Sequence, residues 1–342
     1  MVPRPAPRAA PGSRLVTTIE AAVAEPAMPR ATWQDRAREF LSEYGFLAFF
    51  AVWVVFLGVT TPLFLTGENL VLVLRQASIF GIPAIGATFV LIAGELDISF
   101  GALLGLCGLA GASVLTAGFP PIIGILAAVG VGLVVGIANG LLVTVTKIPS
   151  VVATLGMLTM LQGIGLVVSK GSSVFGPELD PLVYLAQGYV GPIPIPVLLS
   201  IIAYALAWVV LTRTPFGMHV YLIGDNAEAA YRTGINVDRL RLIVFALAGA
   251  LTSVGALILV GRVGQAQATL GTEALFPVLT AVILGGTGLQ GGRGRIQNTL
   301  LASLFLASIV NGLILLGVDP SAQSVVEGAI LILAVSLDRL RR

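Results

Sequence analysis

Charge is what this 342-residue chain has least of. Asp, Glu, Lys and Arg make up 11% of it, against 56% hydrophobic residues and a mean hydropathy of +0.99. A water-soluble domain carries about 25% charged residues, so there is too little polar side chain here to coat a surface of this size. Cysteine is nearly missing: Cys107 stands alone in an apolar run, which excludes an intrachain disulfide and leaves it a small buried side chain. The one histidine, His219, falls in a polar loop and reads as a solvated surface residue, with no second His or Cys to complete a ligand set. No G-x-x-x-x-G-K-[ST] phosphate loop occurs, so the chain does not itself hydrolyse ATP, and neither H-E-x-x-H nor G-x-S-x-G is present. A proton relay needs carboxylates through several spans; only Glu327 lies well inside one, with Glu273 near an end.

What remains is an all-α polytopic membrane protein. Glycine is abundant, at 41, as expected where helices approach closely in lipid. Apolar windows near 45–62, 69–93, 98–117, 121–146, 150–169, 194–212, 241–261, 272–287, 296–317 and 322–337 predict about ten transmembrane helices. The fifth, with polar Thr154, Thr159 and Gln162, and the short eighth are the candidates for re-entrant or broken helices. Lys and Arg collect in cytoplasmic loops. With ten spans and both termini cytoplasmic, 16 of the 19 fall inside, the exceptions being Arg75, Lys170 and Arg262. Residues 1–40, rich in Pro, Ala and Arg without the apolar core of a signal peptide, read as a disordered cytoplasmic tail, and 45–340 as the transmembrane domain.

The spans repeat. TTPLF (60–64) and TRTPFG (212–217) follow spans one and six; IANGLL (137–142) and IVNGLI (309–314) lie in spans four and nine, each followed by a Pro and a Val pair. An offset of five spans predicts two inverted five-helix repeats, an arrangement common in transporters. GTGLQG (286–291) matches a dinucleotide fingerprint letter by letter but lacks its soluble strand and its acid, so it reads as a tight cytoplasmic turn where backbones crowd.

Two polar stretches stand out. GELDISFG (94–101) puts Glu95 and Asp97 between spans two and three, where Asp97 is placed to cap a helix starting near Ile98 by accepting from the N–H groups of Ser99 and Phe100. Glu95 reads as solvated or facing a loop arginine. The longest cytoplasmic loop, 214–240, contains DNAEAAYRTG, a short helix capped by Asp225 or Asn226 and ended by Gly234. Its mixed charges and small apolar face favour docking to a protein over lying on lipid.

These stretches carry a resemblance. Glu228, Ala229 and Ala230, followed by Gly234, resemble the E-A-A-x-x-x-G coupling loop of bacterial ABC importer membrane subunits. Glu95, Asp97, Ser99 and Gly101 lie in a segment similar to G-x-I-D-L-S-V-G of the ribose- and xylose-type sugar permeases, from which Leu96, Ile98 and Phe100 depart. The C-terminal block from GGTGLQGG to AVSLD resembles the same family. The resemblance implies a permease without its own ATPase and without a cofactor, ATP and Mg being bound by a cytoplasmic partner ATPase, often a two-cassette chain. A periplasmic or lipid-anchored sugar-binding protein and a second permease copy complete the set, in a bacterial inner membrane. Branched-chain amino acid or nucleoside import, an ion-coupled secondary transporter and a membrane scaffold stay open as alternatives. Neutral polar residues inside spans, Asn139, Thr154, Thr159, Gln162 and Asn311, are the candidates to line a path for a hydroxylated solute, each weighed against simple hydrogen bonding between helices.

Overall fold

The structure, a computed structural model, describes residue 3 and residues 33–340, with side chains from residue 46 to residue 336. Most of the tail predicted over 1–40 lies outside these residues, as do Arg341 and Arg342; residues 33–40 open the first helix. The chain divides into two compact units, 1–53 and 54–342. Among the described residues above 32, the first contains only the opening part of α1 (Trp33–Thr60).

The second unit holds α2 (Gly67–Ile92), α3 (Phe100–Thr116), α4 (Pro121–Thr144), α5 (Ser150–Ser169) and the short α6 (Asp180–Gln187). A minimal hairpin, β1 (Tyr189–Val190) and β2 (Ile193–Pro194), pairs Tyr189 with Pro194. Then come α7 (Ile195–Arg213), α8 (Pro215–Asp225), α9 (Ala227–Arg232), α10 (Val237–Val263), α11 (Leu275–Leu284), α12 (Ile296–Leu315) and α13 (Pro320–Leu340). Helices α2, α4, α5, α7, α10 and α12 are long and apolar enough to cross a membrane. Shorter apolar helical stretches at 46–60, 100–116, 272–284 and 320–336 fall where the sequence placed the other spans. The chain is an all-α polytopic membrane protein.

Helix α10 is the centre of the second unit. It packs most extensively on α4, then on α2, α6 and α3. The α4–α10 seam is made of glycine: a Cβ on Gly132 would come within 2.3 Å of the Gly249 carbonyl oxygen, and one on Gly136 within 2.3 Å of that of Phe245. Small residues let backbones meet where lipid supplies no hydrophobic drive between helices. The outward faces of α4, α5 and α7 stay apolar and exposed, as Val134, Val167 and Leu206 show, which suits hydrocarbon as solvent.

Two of the apolar helices are cut short. At 1.5 Å per residue, the 17 residues of α3 reach about 25 Å and the 10 of α11 about 15 Å, against a hydrocarbon core of about 30 Å. Each follows a non-helical stretch, 94–99 before α3 and 264–271 before the 3-10 turn Thr272–Ala274 that leads into α11. The second stretch runs back beside α3: a Cβ on Gly105 would meet the Ala268 carbonyl oxygen at 2.2 Å, and one on Gly271 that of Gly101 at 2.3 Å. The eighth predicted span is thus a ten-residue helix behind a returning strand of chain, whereas the fifth is continuous over Ser150–Ser169. Irregular backbone among apolar helices needs hydrogen-bond partners from protein. Val174 and Ala266 exchange two backbone hydrogen bonds, at 2.9 and 2.8 Å, for the returning stretch.

The sequence reading misplaced one region. His219 is not in a loop: it sits half-buried on α8, so that the stretch from 215 to the start of α10 is almost wholly helical. Thr214, whose hydroxyl accepts from the Gly217 N–H at 3.3 Å, followed by Pro215 at the first helical position, starts this helix.

Candidate functional site

The segment 94–99 is non-helical, and side chains of two neighbouring helices, α4 and α5, satisfy its polar groups. Ser150 Oγ on α5 accepts from the Leu96 N–H at 3.0 Å, and Thr154 Oγ1, one turn on, accepts from the Ile98 N–H at 3.1 Å. Thr154 in turn donates to the Ser150 carbonyl at 2.7 Å. Asp97 Oδ1 accepts from both the backbone N–H (2.7 Å) and the hydroxyl (2.6 Å) of Ser99. Asn139 on α4 donates through Nδ2 to Ser99 Oγ at 2.9 Å and, more weakly, to Asp97 Oδ2 at 3.3 Å. Asp97, Ser99, Asn139 and Thr154 are all buried. Asp97 therefore closes the turn before the helix, which begins at Phe100 with Ser99 as its cap residue; its partner is Ser99 alone of the two expected donors. Burial raises the Asp97 carboxyl above the ordinary carboxylate range, with the Ser99 and Asn139 hydrogen bonds pulling the other way.

Glu95 faces an arginine. Arg241 Nε, in the second turn of α10, lies 2.7 Å from Glu95 Oε1, with its N–H aimed off the line between them. The Glu95 side chain is 9% exposed and that of Arg241 23%. Two other ion pairs occur among the described residues, Lys147–Asp238 and Glu228–Arg232, and both are exposed.

Backbones meet directly beside this segment. Gly94 (φ +80°) ends the turn after α2, Gly224 is the penultimate residue of α8, and Gly291 and Gly292 (φ +86° and +69°) turn the loop before α12. A Cβ on Gly224 would lie 1.7 Å from the Ile92 carbonyl oxygen and 2.5 Å from the Gly292 nitrogen. The Gly292 N–H donates to that same Ile92 carbonyl at 2.9 Å, and Tyr221 on α8 donates to the Gly294 carbonyl at 2.8 Å. The glycine-rich 286–294 turn is a site of backbone crowding; among the described residues it follows α11 rather than a strand.

From this junction α9 projects. Asn226 Oδ1 accepts from the Ala229 N–H at 2.9 Å and is the helix cap; Asp225 instead ends α8. At the other end Gly234 (φ +88°) lets its own N–H reach the Tyr231 carbonyl (3.0 Å) and that of Ile235 reach Ala230 (3.2 Å). Ala230 is buried and anchors the helix, while Glu228, Tyr231 and Arg232 are exposed. Beside them an open polar depression is lined by Lys147, Glu228, Tyr231, Arg232 and Asp238.

The five polar residues of the spans part company. Asn139 and Thr154 hold the 94–99 segment. Asn311 on α12 makes a reciprocal amide pair with Asn69 on α2, at 2.8 and 2.9 Å. Thr159 is exposed and donates to the Leu155 carbonyl at 3.3 Å. Gln162 is half-buried with no hydrogen-bond partner among the described residues. Gly101 packs on the returning stretch, 3.0 Å separating a Cβ there from the Gly271 carbonyl oxygen. Sequence reasoning missed Asn69, Ser150, Gly224 and the role of Arg241. No group of three metal-ligating side chains exists among the described residues.

A family model described as branched-chain amino acid transport system / permease component matches residues 69–335. The ribose import permease protein RbsC of Bacillus subtilis is 38% identical over 295 residues, 86% of this chain and 91% of that protein. The D-allose transport system permease protein AlsC of Escherichia coli is 33% identical over 303 residues, 88% and 93% of the two chains. For the xylose transport system permease protein XylH of Haemophilus influenzae the identity is 31%, covering 87% and 96%. No solved structure matches the chain.

Proposed function

The chain belongs to the branched-chain amino acid transport system permease family, and from that premise we propose that it is the membrane-spanning subunit of an ATP-driven importer for a monosaccharide or related polyol. It is a multi-pass protein of the cytoplasmic membrane. The observation that carries the reading is the likeness, over most of the chain, to permeases whose names specify ribose, allose and xylose. The exposed, doubly capped α9 supports it, since a stand-alone secondary transporter or a scaffold has no need of such a docking helix.

In this reading ten spans form two inverted repeats with both termini in the cytoplasm, and a second permease copy completes the path. A separate cytoplasmic ATPase, often one chain with two cassettes, binds ATP and Mg and docks on Asn226, Glu228, Ala229, Ala230 and Gly234, with Asp225 at the edge. A periplasmic or lipid-anchored binding protein delivers the sugar and sets its identity. Closure of the ATPase moves α9, and the spans switch access by as much as the partners' differential affinity for the two states allows. Asn139, Thr154 and Asn311 serve the helix contacts described above, which leaves Gln162 and Thr159 on α5, neither bonded to another helix, as the polar side chains to meet a hydroxylated solute. The family description keeps branched-chain amino acid import as the second reading.

The test is purification of the tagged chain from its own membrane. Recovery of a two-cassette ATPase, lost on Glu228→Lys or Gly234→Trp, is the expected result. A chain that purifies alone and moves solute down an ion gradient in liposomes overturns it.

A further inference from the structure

We infer that the largely shielded ion pair Glu95–Arg241 is the positioning contact that links movement of the α9 docking helix to the 94–99 segment and, through it, to the start of α3. The inference rests on the permease reading and adds to it the route inside the membrane. Its geometric basis is a short chain of contacts. Only four residues, 233–236, separate α9 from α10, and the Asn236 side chain caps α10 by accepting from the Arg239 N–H at 2.9 Å. The Gly234 turn fixes one end of that connection and the Asn236 cap the other, so α9 and the first turns of α10 form a stiff elbow. Arg241 lies just beyond the elbow and reaches Glu95 at 2.7 Å.

Glu95 is two residues from Asp97, and the segment between them has no helical hydrogen bonding of its own. Side chains of α5 hold its N–H groups, and Asn139 of α4 holds its Ser99–Asp97 turn. A segment held by four or five side-chain hydrogen bonds can shift as a unit, because each of those bonds can lengthen or exchange without unwinding a helix. The ion pair is the charged member of this set, and it joins the elbow to the segment.

A buried pair is a poor source of stability, since desolvation offsets the attraction, and its best-attested use is to fix register or to switch. The other two pairs are solvent-exposed: Lys147–Asp238 joins the irregular 145–149 stretch to the first turn of α10 with both side chains more than half exposed, and Glu228–Arg232 lies within α9. Of the three ion pairs among the described residues, Glu95–Arg241 is the one shielded from solvent, and it ties the docking limb to the 94–99 stretch.

The experiment measures solute transported per ATP hydrolysed, in liposomes holding the whole transporter with its ATPase and binding protein. Variants are Glu95→Gln, Arg241→Gln and the double. Each single is expected to lower the ratio roughly tenfold, within the range of measured site-to-site couplings, and the double to be no worse than either single. Singles at the wild-type ratio, or effects that add in the double, overturn the inference. If a single does not assemble because it strands one buried charge, the double, which strands none, decides: a wild-type ratio refutes the relay and a lowered one supports it. Wild-type liposomes that hydrolyse no ATP in response to the binding protein would instead refute the permease reading itself.

Discussion

Replacing Asp97 separates two effects that the buried 94–99 segment combines. Ala removes the acceptor for the Ser99 N–H and hydroxyl, 2.7 and 2.6 Å away, and leaves a buried N–H with no partner. Such an orphan costs about 1–3 kcal/mol. Asn keeps an oxygen where Oδ1 stands and removes the charge that burial disfavours. It also offers an N–H to Asn139, whose Oδ1 is buried without a partner and can turn to accept it. The expected order is wild type and Asp97→Asn together, within about 1 kcal/mol, with Asp97→Ala lower by about 1–3 kcal/mol, a melting shift of about 2–6 °C. Heating the detergent-solubilised protein and counting the folded fraction by size exclusion reads this directly. pH gives a second axis. A carboxyl whose folded pKa is raised binds its proton more tightly in the folded state. Stability contributed by Asp97 therefore rises as pH falls through that raised value and is lost again as pH climbs through it, while Asp97→Asn shows no such component. An Ala variant as stable as wild type, or an Asn variant as damaged as Ala, refutes the assignment of Asp97 to its Ser99 contacts.

Three further outcomes are expected. Gly224→Ala, whose Cβ would sit 1.7 Å from the Ile92 carbonyl oxygen, should abolish folded yield, whereas Gly156→Ala on α5, with nothing within 4 Å, should be neutral or slightly stabilising; comparing yields after membrane extraction checks both. Asn226→Ala removes the α9 cap at a cost of about 1 kcal/mol, and amide hydrogen exchange should speed up over 227–232 while α8 keeps its protection. Asn69→Ala and Asn311→Ala each break the reciprocal amide pair, so a double-mutant cycle of melting should give a coupling of about 0.6 kcal/mol, with the double no worse than the singles.

What was legible in the sequence follows the physics of each element. Apolar windows located the helices because hydrocarbon tolerates little else, and the α9 cap was legible because Asn before AEAAYR and Gly after it act within one turn of chain. Helix α8 was missed since PFGMHVYLIGD mixes His, Gly and Asp with apolar residues over only eleven positions, too few for a period to stand out. Asn139 and Thr154 were visible as polar residues in spans, but their targets, side chains for Asn139 and backbone for Thr154, lie in a segment 40 to 58 residues away, and no local pattern encodes that pairing. Glu95 was expected to meet an arginine without saying which; Arg241 follows only from how α10 packs. Ser150, the first residue of α5 after Pro149, carries no local signal that points it to the Leu96 N–H.

The meeting of Gly94, Gly224, Gly291 and Gly292 has a mechanical consequence. Three chain segments touch there chiefly through main-chain atoms, so little side chain lies between them to change rotamer and take up slack. A displacement of α8 by a fraction of an ångström therefore reaches the end of α2 and the loop before α12 almost undiminished, as in a bearing machined without play. Methyl groups added at such a point would not merely loosen the joint; they would hold its three limbs apart.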